Sequence, residues 1–149
     1  MEMSPSTILD VGAGHGKWGV LCQEYLAYWK NIEVDVDGVE IYPGYSSQLH
    51  SIYRYMYYKN IIDMLDKVGM YDLVLAIDVI EHLEKADGLA LLGIVRNHYV
   101  VTTPNYWSEQ GECFGNPHEK HVSKWTREDF VHSELIEDVT GRSHILGWK

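Results

Sequence analysis

The chain is poor in cysteine, in positive charge and in long apolar runs, and each shortage excludes something. Its two cysteines, Cys22 and Cys113, stand far apart with no metal-binding or redox spacing. That fits a reducing cytoplasm, and two ordinary thiols are expected. Twelve Lys and Arg face 22 Asp and Glu, a formal net charge of −10. A surface of that sign repels polyanions, so nucleic acid is a disfavoured partner unless another domain supplies basic surface. No apolar run approaches the roughly 20 residues that span a bilayer, and no membrane segment is expected. The N-terminal Met1-Glu-Met-Ser-Pro-Ser6 has neither a basic region nor an apolar signal core. Repeats, low-complexity segments and linkers are also missing. What is present is a 46% hydrophobic composition, too apolar for a disordered chain. The 149 residues suit one domain, 1–149, with a single substantial core.

Apolar and β-branched runs predict strands over 7–11, 32–40, 54–59, 71–79 and 99–103, the fourth being the clearest. Helices are expected between them, over 16–30, 45–53, 61–68 and 85–97. In the first, Val20, Leu21, Tyr25 and Leu26 are expected on one side, and in the last Leu89, Leu92 and Val95 on the sheet. Residues 106–124 lack clear periodicity, and Thr126 opens a further helix with an acidic first turn. Two short apolar segments, 135–139 and 144–148, close the chain. Such alternation predicts a parallel sheet covered on both faces, with ligands at the carboxyl ends of its strands.

The most informative stretch is Ile8-Leu-Asp-Val-Gly-Ala-Gly-His-Gly-Lys-Trp-Gly19, an apolar strand that breaks into glycines and then enters a helical pattern. Glycines let backbone approach a ligand closely, and the new helix points free N–H groups at it. Asp10, two residues before the first glycine, favours a ligand with a cationic end over a pyrophosphate. Gly14-x-Gly16-x-x-Gly19 also satisfies the dinucleotide fingerprint, but a dehydrogenase needs a substrate domain for which no residues remain. A P-loop is excluded because Trp18, not Ser or Thr, follows Lys17.

This segment resembles motif I of the class I S-adenosylmethionine (SAM)-dependent methyltransferases. The resemblance implies an α/β, Rossmann-like fold with a mostly parallel seven-stranded sheet, a terminal antiparallel hairpin and helices on both faces. It also implies a role for each candidate cofactor-binding residue. Asp10 would neutralise the SAM amino group, and Gly12, Gly14 and Gly16 would close around the methionine portion. Glu40, ending the second strand, would accept from both ribose hydroxyls, with Asp35 and Asp37 as nearby alternatives. Asn60 takes the place of the acid that usually reads the adenine edge, and Ile41 and Ile61 would sandwich the ring.

Asp78-Val-Ile-Glu81-His82-Leu resembles the Asp-Val-x-Glu-His motif of small-molecule methyltransferases, so Asp78 is a further cofactor candidate. With His118-Glu-Lys-His121, it is also similar to small-RNA 3′-terminal 2′-O-methyltransferases. That likeness implies a divalent-metal site made of Asp78, Glu81, His82 and His121. Without the metal these groups form a polar network, and His82, His121 and Asp78 are the catalytic candidates, either histidine serving as general base. Trp107, Trp125 and Tyr106 are candidates for an aromatic acceptor pocket. His50, His98, His132 and His144 read as ordinary packing or surface residues. The expected activity is methyl transfer from SAM to a small molecule or a protein side chain. A non-catalytic SAM-binding subunit is the alternative, and a NAD enzyme ranks third.

Overall fold

The structure is a computed structural model, and it describes residues 4–105, 107, 109–130, 133, 135–137 and 143–146. Among the described residues, seven strands form one sheet in the order β3-β2-β1-β4-β5-β7-β6. β1 (Thr7–Val11), β2 (Asp35–Glu40), β3 (Met56–Tyr58), β4 (Leu73–Ile77) and β5 (His98–Pro104) are parallel. β7 (Ser143–Leu146) runs antiparallel to β5 and to the outer β6 (Leu135–Glu137). β1 and β4 lie at the centre, and their Ile8, Leu9, Val11, Val74 and Ala76 are almost wholly buried. Continuous apolar runs are what a strand covered on both faces requires.

One face carries α1 (Lys17–Cys22), over a core of Ile8, Val36, Tyr53 and Leu75. The other carries α2 (Leu65–Val68) and α3 (Lys85–Ile94), over Leu9, Val74, Leu91, Val95 and Trp125. Strand order reverses between β1 and β4. That reversal opens a crevice at the carboxyl edge of the sheet, where ligands bind in such folds.

The helices depart from expectation more than the strands do. The segment 16–30 is not one regular helix: after Cys22 the turns widen, and the Lys30 N–H donates to Tyr25 O, five residues back. Trp18, Cys22, Leu26 and Ala27 pack on the core, while Leu21, Tyr25, Tyr28 and Trp29 face solvent. The expected helix over 45–53 is two 3₁₀ turns, Pro43–Tyr45 and Gln48–Ile52, the second capped by Ser47 Oγ accepting from Leu49 N–H. On α3 it is Leu91, with Leu92, that packs inward, while Leu89 faces solvent. The helix expected after Thr126 is a single 3₁₀ turn, Arg127–Phe130, held by Asp129 accepting from Thr126 N–H. No helix among the described residues is long and apolar enough to cross a membrane.

Candidate functional site

The crevice at the carboxyl edge is a cavity of about 380 Å³. Its floor is Val11, Gly12 and Gly14 from the β1–α1 turn and Val39, Glu40 and Ile41 from the end of β2. Asn60 and Ile61 follow β3, and Asp78, Val79 and His82 follow β4. Its roof, from Asn116 to Lys120, comes from the long segment after β5.

Glu40 is buried and its carboxylate is doubly held. Oε2 accepts from Gly14 N–H at 2.9 Å, and Oε1 accepts from Tyr42 N–H at 2.8 Å. Each oxygen retains a second lone pair, so the group can take further donors from the cavity. Asp35 and Asp37 do not compete for that position. Asp37, itself in β2, is buried and accepts from Arg54 Nε and Nη2 and from Tyr71 Oη, and Asp35 pairs with Arg54 Nη1.

Two members of the expected glycine-loop site lie behind the cavity wall. Asp10 is fully buried and its Oδ2 accepts from Tyr53 Oη at 2.6 Å, while Oδ1 has no hydrogen-bond partner among the described residues. Burial dominates its titration and raises its pKa to about 6, against the opposing help of Tyr53. Asp10, expected to neutralise an amino group directly or through water, faces Tyr53 on the α1 side and does not line the cavity. Gly16 is likewise covered, by Leu49 and His50. Gly12, with φ +68°, does line the cavity, and a Cβ there would stand 2.5 Å from Val79 Cγ2. Only glycine fits that turn.

Ile41 and Ile61 both line the cavity, as a sandwich requires. Asn60 lines it too, but its Oδ1 accepts from Ile62 N–H and caps the following 3₁₀ turn. The oxygen that would read an adenine amine thus already has a structural task.

After β4 the expected four-ligand set divides. Asp78, in the left-handed region at φ +55°, turns toward β5 and accepts from Thr102 Oγ1 at 2.7 Å. Glu81, His82 and His121 instead bring one ligand atom each within 4.8 Å of one another. Asp78 is corrected out of that cluster. Glu81 and His121 border a second, smaller cavity with Thr103 and Trp107, whereas His82 lines the main one. Glu81 is buried, its Oε2 has no hydrogen-bond partner among the described residues, and burial raises its pKa to about 7. His82 Nδ1 lies 3.1 Å from Lys120 O. A carbonyl only accepts, so Nδ1 carries the proton and Nε2 is the acceptor. Desolvation lowers the His82 pKa, keeping the ring neutral at neutral pH.

The aromatic acceptor pocket is corrected as well. Trp125 is a core residue, its indole N–H donating to Ile80 O and its ring stacked on Phe130. Trp107 is exposed beside the smaller cavity, and Tyr106 and His132 lie outside the described residues. Sequence reasoning missed a polar strap across the roof. Tyr45 Oη donates to Glu119 at 2.7 Å, and the Tyr45 ring packs 4.9 Å from His15. His50, read as an ordinary packing or surface residue, is buried against the glycine loop. Neither signal was local, because both contacts join segments more than 30 residues apart.

No family model and no curated protein matches this sequence. Solved structures do. Against an O-methyltransferase family protein from Burkholderia thailandensis the TM-score is 0.63 at 11% identity, over 97% of this chain and 51% of that one. The small RNA methyltransferase HEN1 gives 0.63 at 21%, over 99% of this chain and 23% of that one. A 1,6-didemethyltoxoflavin-N1-methyltransferase from B. thailandensis, solved with S-adenosylhomocysteine, gives 0.56 at 17%, over 97% and 69%. The fold is that of the class I methyltransferases. The chain spans about half the length of the first of these proteins and under a quarter of HEN1.

Proposed function

We propose that the protein is a SAM-dependent methyltransferase acting on a small molecule or a protein side chain. The observation that carries the reading is Glu40. It is a buried carboxylate at the end of β2, on the wall of the switch-point cavity, tied to the glycine-loop amide of Gly14. A ribose diol presents two donors, and this carboxylate has two remaining acceptor sites for them. Ile41 and Ile61 supply apolar faces for an adenine, and the Gly12–Gly14 backbone leaves room for the methionine portion. Asp10, which does not line the cavity, would act on a bound ammonium through its charge or through water.

Methyl transfer from a sulfonium is an in-line displacement with a good leaving group, so alignment and exclusion of water carry much of the catalysis. The acceptor's proton goes to His82 Nε2, which is neutral, borders the cavity and is held in the required tautomer by Lys120 O. A divalent metal also fits Glu81, His82 and His121. Donors about 2.1 Å from one tetrahedral ion stand about 3.4 Å apart, so these three, within 4.8 Å of one another, would draw together around it. Bound there, such an ion would lower the pKa of an acceptor hydroxyl. Turnover of methyl-tritiated SAM against a panel of amine, phenol, thiol and peptide acceptors tests the assignment. Label transfer that His82→Ala abolishes is expected. No transfer to any acceptor, with SAM bound, would instead favour a binding subunit.

A further inference from the structure

Gly14 has an external partner on each side of its peptide. Its N–H donates to Glu40 Oε2, and its carbonyl lies 2.7 Å from His50 Nε2. The next carbonyl, of His15, accepts from Ser47 Oγ at 2.6 Å. His50 and Ser47 belong to the same short segment, the 3₁₀ turn Gln48–Ile52 and its cap. That turn lies against the loop closely enough that a Cβ on Gly16 would meet Leu49 Cβ at 3.0 Å and His50 Cδ2 at 3.2 Å. His50 is itself fixed. It is buried, its Nδ1 is 2.7 Å from Tyr58 Oη, and its ring packs edge-on to Tyr53. Because a carbonyl only accepts, Nε2 carries the proton it donates to Gly14.

Glycines at 12, 14 and 16 give the loop access to a ligand and also leave it much conformational freedom. A loop of that kind must be ordered either before the ligand arrives or at the ligand's expense. We propose that His50 is a positioning residue of the cofactor site, ordering the glycine loop in advance by holding the Gly14 carbonyl while Glu40 holds the Gly14 amide. This deepens the methyltransferase reading and rests on it for the identity of the ligand. Ser47 is the second tie, and both are supplied by the turn that stands where a regular helix was expected.

The test compares wild type with His50→Phe, which keeps a packed ring but loses the donor, and His50→Gln, which restores a side-chain N–H. S-adenosylhomocysteine is titrated calorimetrically, and backbone hydrogen exchange over residues 8–19 is read without ligand. The expected result is about tenfold weaker binding by His50→Phe at unchanged stoichiometry, faster loop exchange, and substantial recovery by His50→Gln. A role in folding alone would lower the stoichiometry and leave the dissociation constant unchanged, which would overturn the proposal. So would wild-type affinity together with wild-type exchange in His50→Phe. If His50→Phe does not fold, Ser47→Ala carries the same comparison from the second tie. Absence of binding by wild type would defeat the cofactor reading, and loop exchange alone would then decide whether His50 orders the loop.

Discussion

Glu40 gathers the glycine loop and the β2 end onto one carboxylate, which makes it the most exacting residue of the site. Glu40→Ala is expected to weaken S-adenosylhomocysteine by roughly 1.5–3 kcal/mol, the range for hydrogen bonds to charged groups, with the domain still folded. Calorimetry with unchanged affinity would remove the ribose role. Asp10 and Glu81 belong to a different ledger, because burial raises their pKa values to about 6 and about 7. An acid whose folded pKa lies above its unfolded value binds its proton more tightly when folded. Its contribution to stability is complete below the unfolded pKa and is lost as pH rises through the folded one. For Asp10 that window runs from 3.8 to about 6, and a displacement of that size is worth roughly 3 kcal/mol. Asp10→Asn should therefore raise the melting temperature at pH 7.5 and leave it nearly unchanged at pH 4, since Tyr53 can still donate to the amide oxygen. Equal effects at both pH values would contradict this assignment.

Among the elements, strands were far more legible than helices. The apolar runs at 7–11, broken only by Asp10, and at 73–77 state their burial directly, because a strand covered on both faces has few polar positions. The 16–30 and 45–53 segments misled because their aromatic residues pack at isolated points and not along a stripe. Tyr53 is buried on Asp10, while Tyr25, Tyr28 and Trp29 face solvent. Gly12, Gly14, Glu40, Ile41, Asn60, Ile61 and Asp78 were legible as cavity residues from motif position alone. The roof was not. The segment after β5 is placed by Val122 and Ser123 N–H donating to Glu81 O and by Trp125 reaching Ile80 O, contacts that no local pattern encodes. The β1–α1 turn offers a test at this scale. Gly12→Ala meets both a left-handed φ and Val79 Cγ2, and should cost about 2–4 kcal/mol in a melt. Adding Val79→Ala should return only the steric share, measured against Val79→Ala alone. Full recovery would show that the backbone conformation contributes nothing.

At the scale of the whole molecule, a doubly wound sheet places its cavity at the β1/β4 switch point and lines one side with a carboxylate and a glycine turn. NAD enzymes and SAM enzymes share that architecture, so fold alone does not choose between their ligands. Glu81, His82 and His121 are the groups proposed for the chemistry that follows binding. Metal analysis of untagged protein should find a divalent ion that is lost on Glu81→Gln; retention of the ion by that variant would remove Glu81 as a ligand, and wild type free of metal would leave His82 acting without one. The central claim is tested most directly by ligand-dependent melting with S-adenosylhomocysteine and NAD in parallel. At a hundredfold excess over its dissociation constant, S-adenosylhomocysteine should stabilise the folded protein by about 2.7 kcal/mol while NAD leaves the melt unchanged. A melt that rises with NAD and ignores S-adenosylhomocysteine would contradict it.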